Sequence, residues 1–302
     1  MENYLVLIIL FFAGYGLRHL SVFPRDTASS LNLFIIYVSL PALVLYQVPR
    51  LVISSDALVP VLMPWAMLAI SALAVYALSR AFGWDRKVQG SLLLVVPLGN
   101  TSFLGIPMVT SFFGPDRVPY ALLYDQFGSF LALTTYGTYV LALFGAGARP
   151  SLGEMARKVA TFPPFIALAA ALVTRSITYP PLLESALKTI AASLVPVVMV
   201  AIGFQLRLVI PRQYMAPLGI GLALKLLAAP VAAIALCRLL GLEGIAAGVS
   251  VFEAGMPPMV TAGALAILGG LATDLTAAMI GYGIVLSFIT LPLLHRFIMY
   301  ML

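Results

Sequence analysis

The chain carries little charge. Only 9% of its 302 residues are Asp, Glu, Lys or Arg, where a soluble domain has roughly a quarter. It has two histidines and a single cysteine, Cys237. One cysteine excludes an internal disulfide and a cysteine metal cluster, and leaves that thiol the part of a small apolar packing residue. No stretch is polar enough to form a separate soluble domain. Segments of about ten residues alternating apolar and polar, the mark of a membrane barrel, are also missing. What remains is 62% hydrophobic, with a mean hydropathy of +1.07 and long continuous apolar runs. The fold class is therefore an all-α membrane protein, with the lipid bilayer as its first partner. The net charge of +6 comes from cations scattered among short loops, which reads as topology and argues against a nucleic-acid partner.

Ten spans are expected, at about 4–20, 28–48, 57–80, 88–113, 118–144, 163–178, 183–207, 214–240, 244–269 and 274–300. A straight crossing needs about 20 residues, and the sixth span is the shortest. Arg18 and His19 follow the first span with no small-residue cleavage site, so that span reads as mature structure, not as a signal peptide. Of the 17 cations, ten fall in one set of loops and six in the opposite set, with Lys225 left inside a span. The positive-inside rule puts the richer set in the cytoplasm. That expectation is a multi-pass protein of the inner membrane with both termini outside.

Two spans are interrupted. Gly99-Asn100-Thr101-Ser102-Phe103-Leu104-Gly105-Ile106-Pro107 lies in the fourth, and Phe252-Glu253-Ala254-Gly255-Met256-Pro257-Pro258 lies in the ninth. Proline lacks a backbone donor and clashes with the preceding turn. Irregular backbone at membrane depth is tolerated only in a protein-enclosed or watery cavity. The halves correspond. Pro41 of span two stands 66 residues before Pro107, Pro196 of span seven stands 61 before Pro257, and a turn with an aspartate follows each broken span, at Asp116 and Asp274. Five spans per half is an odd number, so the halves enter the membrane with opposite polarity. The expected organisation is a first five-helix repeat at 1–145, a cytoplasmic linker at 146–162 beginning in the flexible run Gly145–Pro150, and a second, inverted repeat at 163–302. Broken helices 4 and 9 are expected to cross near the midplane, the arrangement of a secondary transporter's binding site.

Half-helix N-termini favour anionic groups and C-termini favour cations. Three ionisable residues lie inside spans: Asp125, Lys225 and Glu253. A charge at a helix centre costs about 2.5–3.5 kcal/mol on insertion scales, which points to functional or paired roles. Glu253 flanks the second break and can bind sodium together with freed carbonyls and Asn100 or Thr101, or take up a proton. The plainer alternative is a static carboxylate capping broken backbone. Asp125 can join it with Ser129, one turn on, or pair structurally with Lys225. Lys225 can attract a carboxylate or neutralise either acid. Asn100, Thr101, Ser102, Pro107, Pro257 and Pro258 complete the candidate substrate site. No cofactor is expected, and sodium is the metal ion that Glu253 could hold if the coupling cation is not a proton. Glu184 and Lys188, four apart, read as a surface pair. Gly14, Gly16, Gly219, Gly221, Gly281 and Gly283 suggest close helix packing.

The segment Gly99 to Met108 resembles the fourth-helix signature of the auxin efflux carrier family, bacterial members included. Tyr37-Val38-Ser39-Leu40-Pro41-Ala42 resembles that family's second helix, and Leu194-Val195-Pro196 through Gly203 its seventh. The short loop after span five looks like the compact bacterial form. Glu253-Ala254-Gly255-Met256-Pro257-Pro258 is also similar to the ninth-helix motif of the bile acid:sodium symporter family, which shares the fold. There the glutamate is a sodium ligand, and polar residues stand where this chain has Pro257 and Pro258. The resemblance implies a scaffold of helices 1, 2, 6 and 7, a moving core of helices 3–5 and 8–10, elevator-type alternating access and a homodimer. The expected function is secondary transport of a small organic anion, a carboxylate, coupled to sodium or protons. A sodium/proton antiporter of the same fold and an uncoupled organic anion carrier are the alternatives. An enzyme is not expected. Tyr124-Asp125 matches half of an aspartyl intramembrane protease site, but Gly-x-Gly-Asp is absent, as is the Gly-x-Ser-x-Gly elbow.

Overall fold

Long apolar runs without caps or breaks fold as long helices, because in lipid every backbone N–H and C=O must be satisfied within the segment. The computed structural model describes residues 2–51, 55–145, 151–208 and 212–301, so residues 146–150 of the expected linker lie outside it. Among the described residues the chain is helical throughout, with no strand, only a bridge between Gly99 and Pro258. Six helices are long and apolar enough to cross a membrane: Thr27–Arg50, Asp56–Ala81, Pro115–Phe144, Pro181–Gln205, Arg212–Leu240 and Thr273–Tyr300. A seventh candidate is the bent pair Leu152–Ala160 and Pro163–Val173, which turns by 63°. The segment expected as the first span is the helix Glu2–Leu17, apolar but shorter than those six.

The helix Leu152–Ala160 falls inside the segment expected as linker. Its start carries a capping box. Ser151 N–H donates to Glu154 Oε2 at 2.8 Å, and Glu154 N–H donates to Ser151 Oγ at 3.2 Å, two otherwise orphaned donors satisfied reciprocally.

Five helical stretches are widened to a π-type turn among the described residues: Ile35–Ser39, Thr101–Gly105, Tyr124–Phe130, Leu133–Gly137 and Leu224–Ala228. Three of them end two residues before a proline, at Pro41, Pro107 and Pro230. A proline ring crowds the carbonyl four residues back and offers no donor. Opening the preceding turn relieves the crowding and keeps the backbone bonded, as in Leu40 N–H to Ile35 O and Ala229 N–H to Leu224 O. The other two lie in one helix where Thr134, Thr135 and Thr138 each turn their hydroxyls back onto carbonyls of the previous turn. Such back-bonding bends helices.

The chain forms two compact units. One comprises Met1–Ser54, Ser102–Leu122 and Ala156–Leu206. In it the helix Glu2–Leu17 packs backbone to backbone on Leu194–Gln205, where a Cβ on Gly14 would lie 2.2 Å from Val200 O and one on Gly203 1.9 Å from Phe11 O. Small residues permit that approach. Ser39 and Ser193 hydroxyls meet at 2.8 Å. Glu184 pairs with Arg50, which also stacks on Tyr46. The expected Glu184–Lys188 pair therefore gives way to one from another helix, in which Arg50 gives one guanidinium nitrogen to Glu184 and another to Tyr46 O.

The other unit comprises Ser55–Thr101, Leu123–Met155 and Arg207–Leu302. Asp85 starts the helix Arg86–Val95 by accepting from Lys87 N–H at 2.8 Å and Val88 N–H at 2.9 Å, and from Val88 onward its face is buried in an aliphatic core with Leu222, Leu275 and Met279. Gly281 packs against Arg207 O and Gly221 against Leu92 and Met279, whereas a Cβ on Gly16 or Gly219 would meet nothing within 4 Å. Those last two glycines are not packing points.

Candidate functional site

Both interrupted helices are broken, and the breaks are bonded to each other. The helix Arg86–Val95 ends before Pro97, and Val96–Asn100 is non-helical. The helix Gly244–Ala254 ends at Gly255, and the next helix begins at Val260. Pro257 and Pro258 have no N–H, and the residue before a proline is excluded from the α region, so helix cannot pass through Met256-Pro257-Pro258. Met259 N–H donates instead to Leu98 O at 2.9 Å, and Asn100 N–H donates to Pro257 O at 2.8 Å. Carbonyls expected to be bare are thus satisfied across the pair. Gly283 supports the seam from behind, since a Cβ there would stand 2.5 Å from Pro258 Cδ.

The first break lies at the Gly99-Asn100 start of the segment that marked it in the sequence and not at that segment's proline. Pro107 lies near the start of Ile106–Phe113, directly after the widened turn Thr101–Gly105, and residues Thr101–Phe113 run as one apolar helix. The widened turn absorbs the proline, and the interruption belongs to Pro97 and Gly99. Ser102 and Pro107 fall in the unit holding the first helix, whereas Asn100, Thr101, Asp125, Ser129, Lys225, Glu253, Pro257 and Pro258 share the other unit.

Three widened turns deliver four of these residues. Thr101 opens one, Asp125 and Ser129 lie on the second, and Lys225 lies on the third. Turns of this kind collect at functional sites because they re-aim side chains that a regular helix would stack. Asp125 is buried and accepts from Thr101 Oγ1 at 2.6 Å and from Gln126 Nε2 at 2.7 Å. Thr101 thus spends its hydroxyl proton on Asp125 and keeps only its oxygen lone pairs for the cavity that it lines with Glu253. Lys225, 4% exposed, sends Nζ to Ala254 O at 3.3 Å, the last carbonyl of the half-helix Gly244–Ala254. Gly99 leaves room for it, since a Cβ there would lie 3.1 Å from that nitrogen.

Glu253 is completely buried, and neither Oε1 nor Oε2 has a hydrogen-bond partner. The backbone donors of its break are taken by main-chain oxygens, Gly255 N–H by Val251 and Phe252 and Met256 N–H by Glu253 O. The carboxyl group is therefore not a cap. A bare carboxylate in such a place costs several kcal/mol, so this group holds a proton or faces a cation. Asn100 is also buried, and its Nδ2 donor is unpartnered. A cavity of about 10 Å³, the space available to the centre of a water molecule, is lined by Thr101, Ser129, Lys225 and Glu253 with Ser71 and Tyr124. That is room for about one water or small ion.

A family model described as a membrane transport protein matches residues 1–295. The chain belongs to that membrane transport protein family. Similar proteins include an uncharacterized transporter of Methanothermobacter thermautotrophicus, 29% identical over 299 residues, 97% of this chain and 96% of the relative. An uncharacterized transporter of Methanocaldococcus jannaschii is 27% identical over 269 residues, 85% of each chain. The resemblance to auxin efflux carriers in the fourth-helix segment thus extends to membership along almost the whole chain.

For this family member, sequence reasoning passed over Gln126, Ser71 and Pro97, and met Tyr124 only as half of a protease motif. Gln126 had a signal, as an amide next to Asp125 in an apolar span. Ser71 gave none, because a small hydroxyl is ordinary in a membrane helix.

Proposed function

We propose that this membrane transporter is a secondary carrier of a small organic anion, a carboxylate. In it ten spans form two inverted five-helix repeats, and the helices with the paired breaks carry the solute by elevator-type alternating access. The observation that supports the reading best is the bonded pair of breaks at Leu98–Asn100 and Pro257–Met259, flanked by an unpartnered Asn100 amide donor and an unpartnered Glu253 carboxyl. The amide suits a carboxylate oxygen of the solute, with Pro257 and Pro258 shaping its surroundings. Glu253 carries the coupling cation, sodium or a proton, with Asp125, Ser129 and Thr101 beside it. Residues 1–145 and 163–302 are the repeats, helices 1, 2, 6 and 7 the scaffold of a homodimer, and both termini face outward from the inner membrane. The paucity of cations around Asn100 favours a monocarboxylate.

The test is uptake of labelled organic acids into proteoliposomes with sodium and proton gradients imposed separately. Accumulation of one acid above its equilibrium level, driven by one gradient, is expected. Exchange of sodium for protons with no organic solute would replace the reading with an antiporter, and accumulation indifferent to both gradients would leave an uncoupled carrier.

A further inference from the structure

We propose that Lys225 is a tethered cation. Its ammonium occupies the place at the second break where a free alkali cation would otherwise bind, so that the protein works without sodium. The inference rests on the reading of Glu253 as the cation-handling residue and narrows it to the proton.

A sodium site at this break would need the negative end of the half-helix Gly244–Ala254, a nearby carboxylate, and a dry pocket of atomic size. The first is the terminal carbonyl of Ala254, which accepts from Lys225 Nζ at 3.3 Å. The second is Glu253, whose two oxygens are fully buried and unpartnered. The third is the cavity that Lys225 and Glu253 line together, with room for about one water. The chain itself places a monovalent positive charge against the Ala254 carbonyl and in the wall of the cavity that Glu253 shares, through a side chain entering from the widened turn Leu224–Ala228. Gly99 supports this placement, because any larger residue would put its Cβ against the ammonium, 3.1 Å from Nζ. The other acid in the unit's interior, Asp125, is engaged by Thr101 and Gln126. Tyr124, Ser129 and Ser71 supply the remaining polar wall. An ammonium at the C-terminal end of a helix interacts favourably with the helix dipole. Unlike an exchangeable ion, it cannot leave, so only the proton of Glu253 remains free to come and go.

The experiment follows thermal unfolding of the full-length protein in detergent in sodium, potassium and N-methylglucamine chloride, alongside proteoliposome uptake. The wild type should unfold at one temperature in all three salts. Lys225→Ala opens the position, so its midpoint should rise with sodium and saturate, an upward shift on the order of a few degrees, and methylammonium should do the same. Adding Glu253→Gln to that variant should abolish the response. Sodium stabilisation of the wild type would overturn the proposal, and so would a folded Lys225→Ala that ignores both ions. If Lys225→Ala does not fold, Lys225→Gln and the wild-type salt series decide the matter on the same criteria. Unfolding detects ions without any transported solute. A failure there is therefore distinct from a failure to find an organic substrate, which would count against the transport reading alone.

Discussion

Glu253→Gln separates the chemistry of the second break from its architecture. The side chain is wholly buried and both oxygens lack partners, so an isosteric amide loses no hydrogen bond. If the carboxyl group rests protonated, one neutral group replaces another, and stability should change by less than about 1 kcal/mol. Had it stood as a charge compensated by Lys225, removing one partner of the pair would cost about 3–5 kcal/mol, visible as a large fall in the unfolding midpoint. Function should respond more strongly. With one proton carried per solute, a gradient of about two pH units supports roughly 100-fold accumulation, because each unit is worth 1.36 kcal/mol. Glu253→Gln cannot exchange a proton, so accumulation should collapse to the passive level while the protein stays folded. The assay is uptake of the identified acid into proteoliposomes against imposed pH and sodium gradients, with unfolding measured in parallel. A folded variant that keeps the wild-type response to both gradients would refute the reasoning.

Asp125→Asn keeps a single acceptor oxygen, so of the two charge-assisted bonds from Thr101 and Gln126 one becomes neutral and the other is lost, and stability should fall by about 1–3 kcal/mol in a denaturation experiment. Pro257→Ala returns a donor to the second break and allows helix to advance into it. It should depress uptake, whereas Pro107→Ala, within the continuous helix Thr101–Phe113, should change uptake little under the same conditions. Gly283→Val drives a side chain into Pro258, 2.5 Å from where its Cβ must stand, and should cost about 1–3 kcal/mol as an overpacked site while reducing uptake. Gly203→Ala, facing Phe11 O across two helices, should reduce the unfolding midpoint without altering which gradient drives uptake.

The helical class, the two interruptions and Glu253 were legible because they depend on local chemistry: apolar run length, missing proline donors and an isolated charge. Within the segment Gly99 to Pro107 the sequence did not show which residue breaks the helix. Pro107 looks like a breaker when read alone, yet a widened turn absorbs it, and the amide–carbonyl pairing that fixes the break at Leu98–Asn100 involves a partner about 160 residues away. Partners of polar groups were the least legible part. Glu184 has a lysine four residues on but pairs with Arg50, and Thr101 serves Asp125. Both choices depend on which helices pack together, which one sequence does not record. The helix Leu152–Ala160 was overlooked for a different reason. Its Ser151-x-x-Glu154 start was in plain view, but glycines just before it drew attention to flexibility.

The reciprocal bonds at the seam make the two segments heritable only together. Leu98 O accepts from Met259 N–H, and Pro257 O accepts from Asn100 N–H, so each segment gives one donor and one acceptor to the other. A chimera that imports one break from a distant relative and keeps the other would strand an amide or a carbonyl where no water can reach it. The penalty would vanish when both segments are exchanged at once, so substitutions on opposite sides of the seam should show strongly non-additive effects.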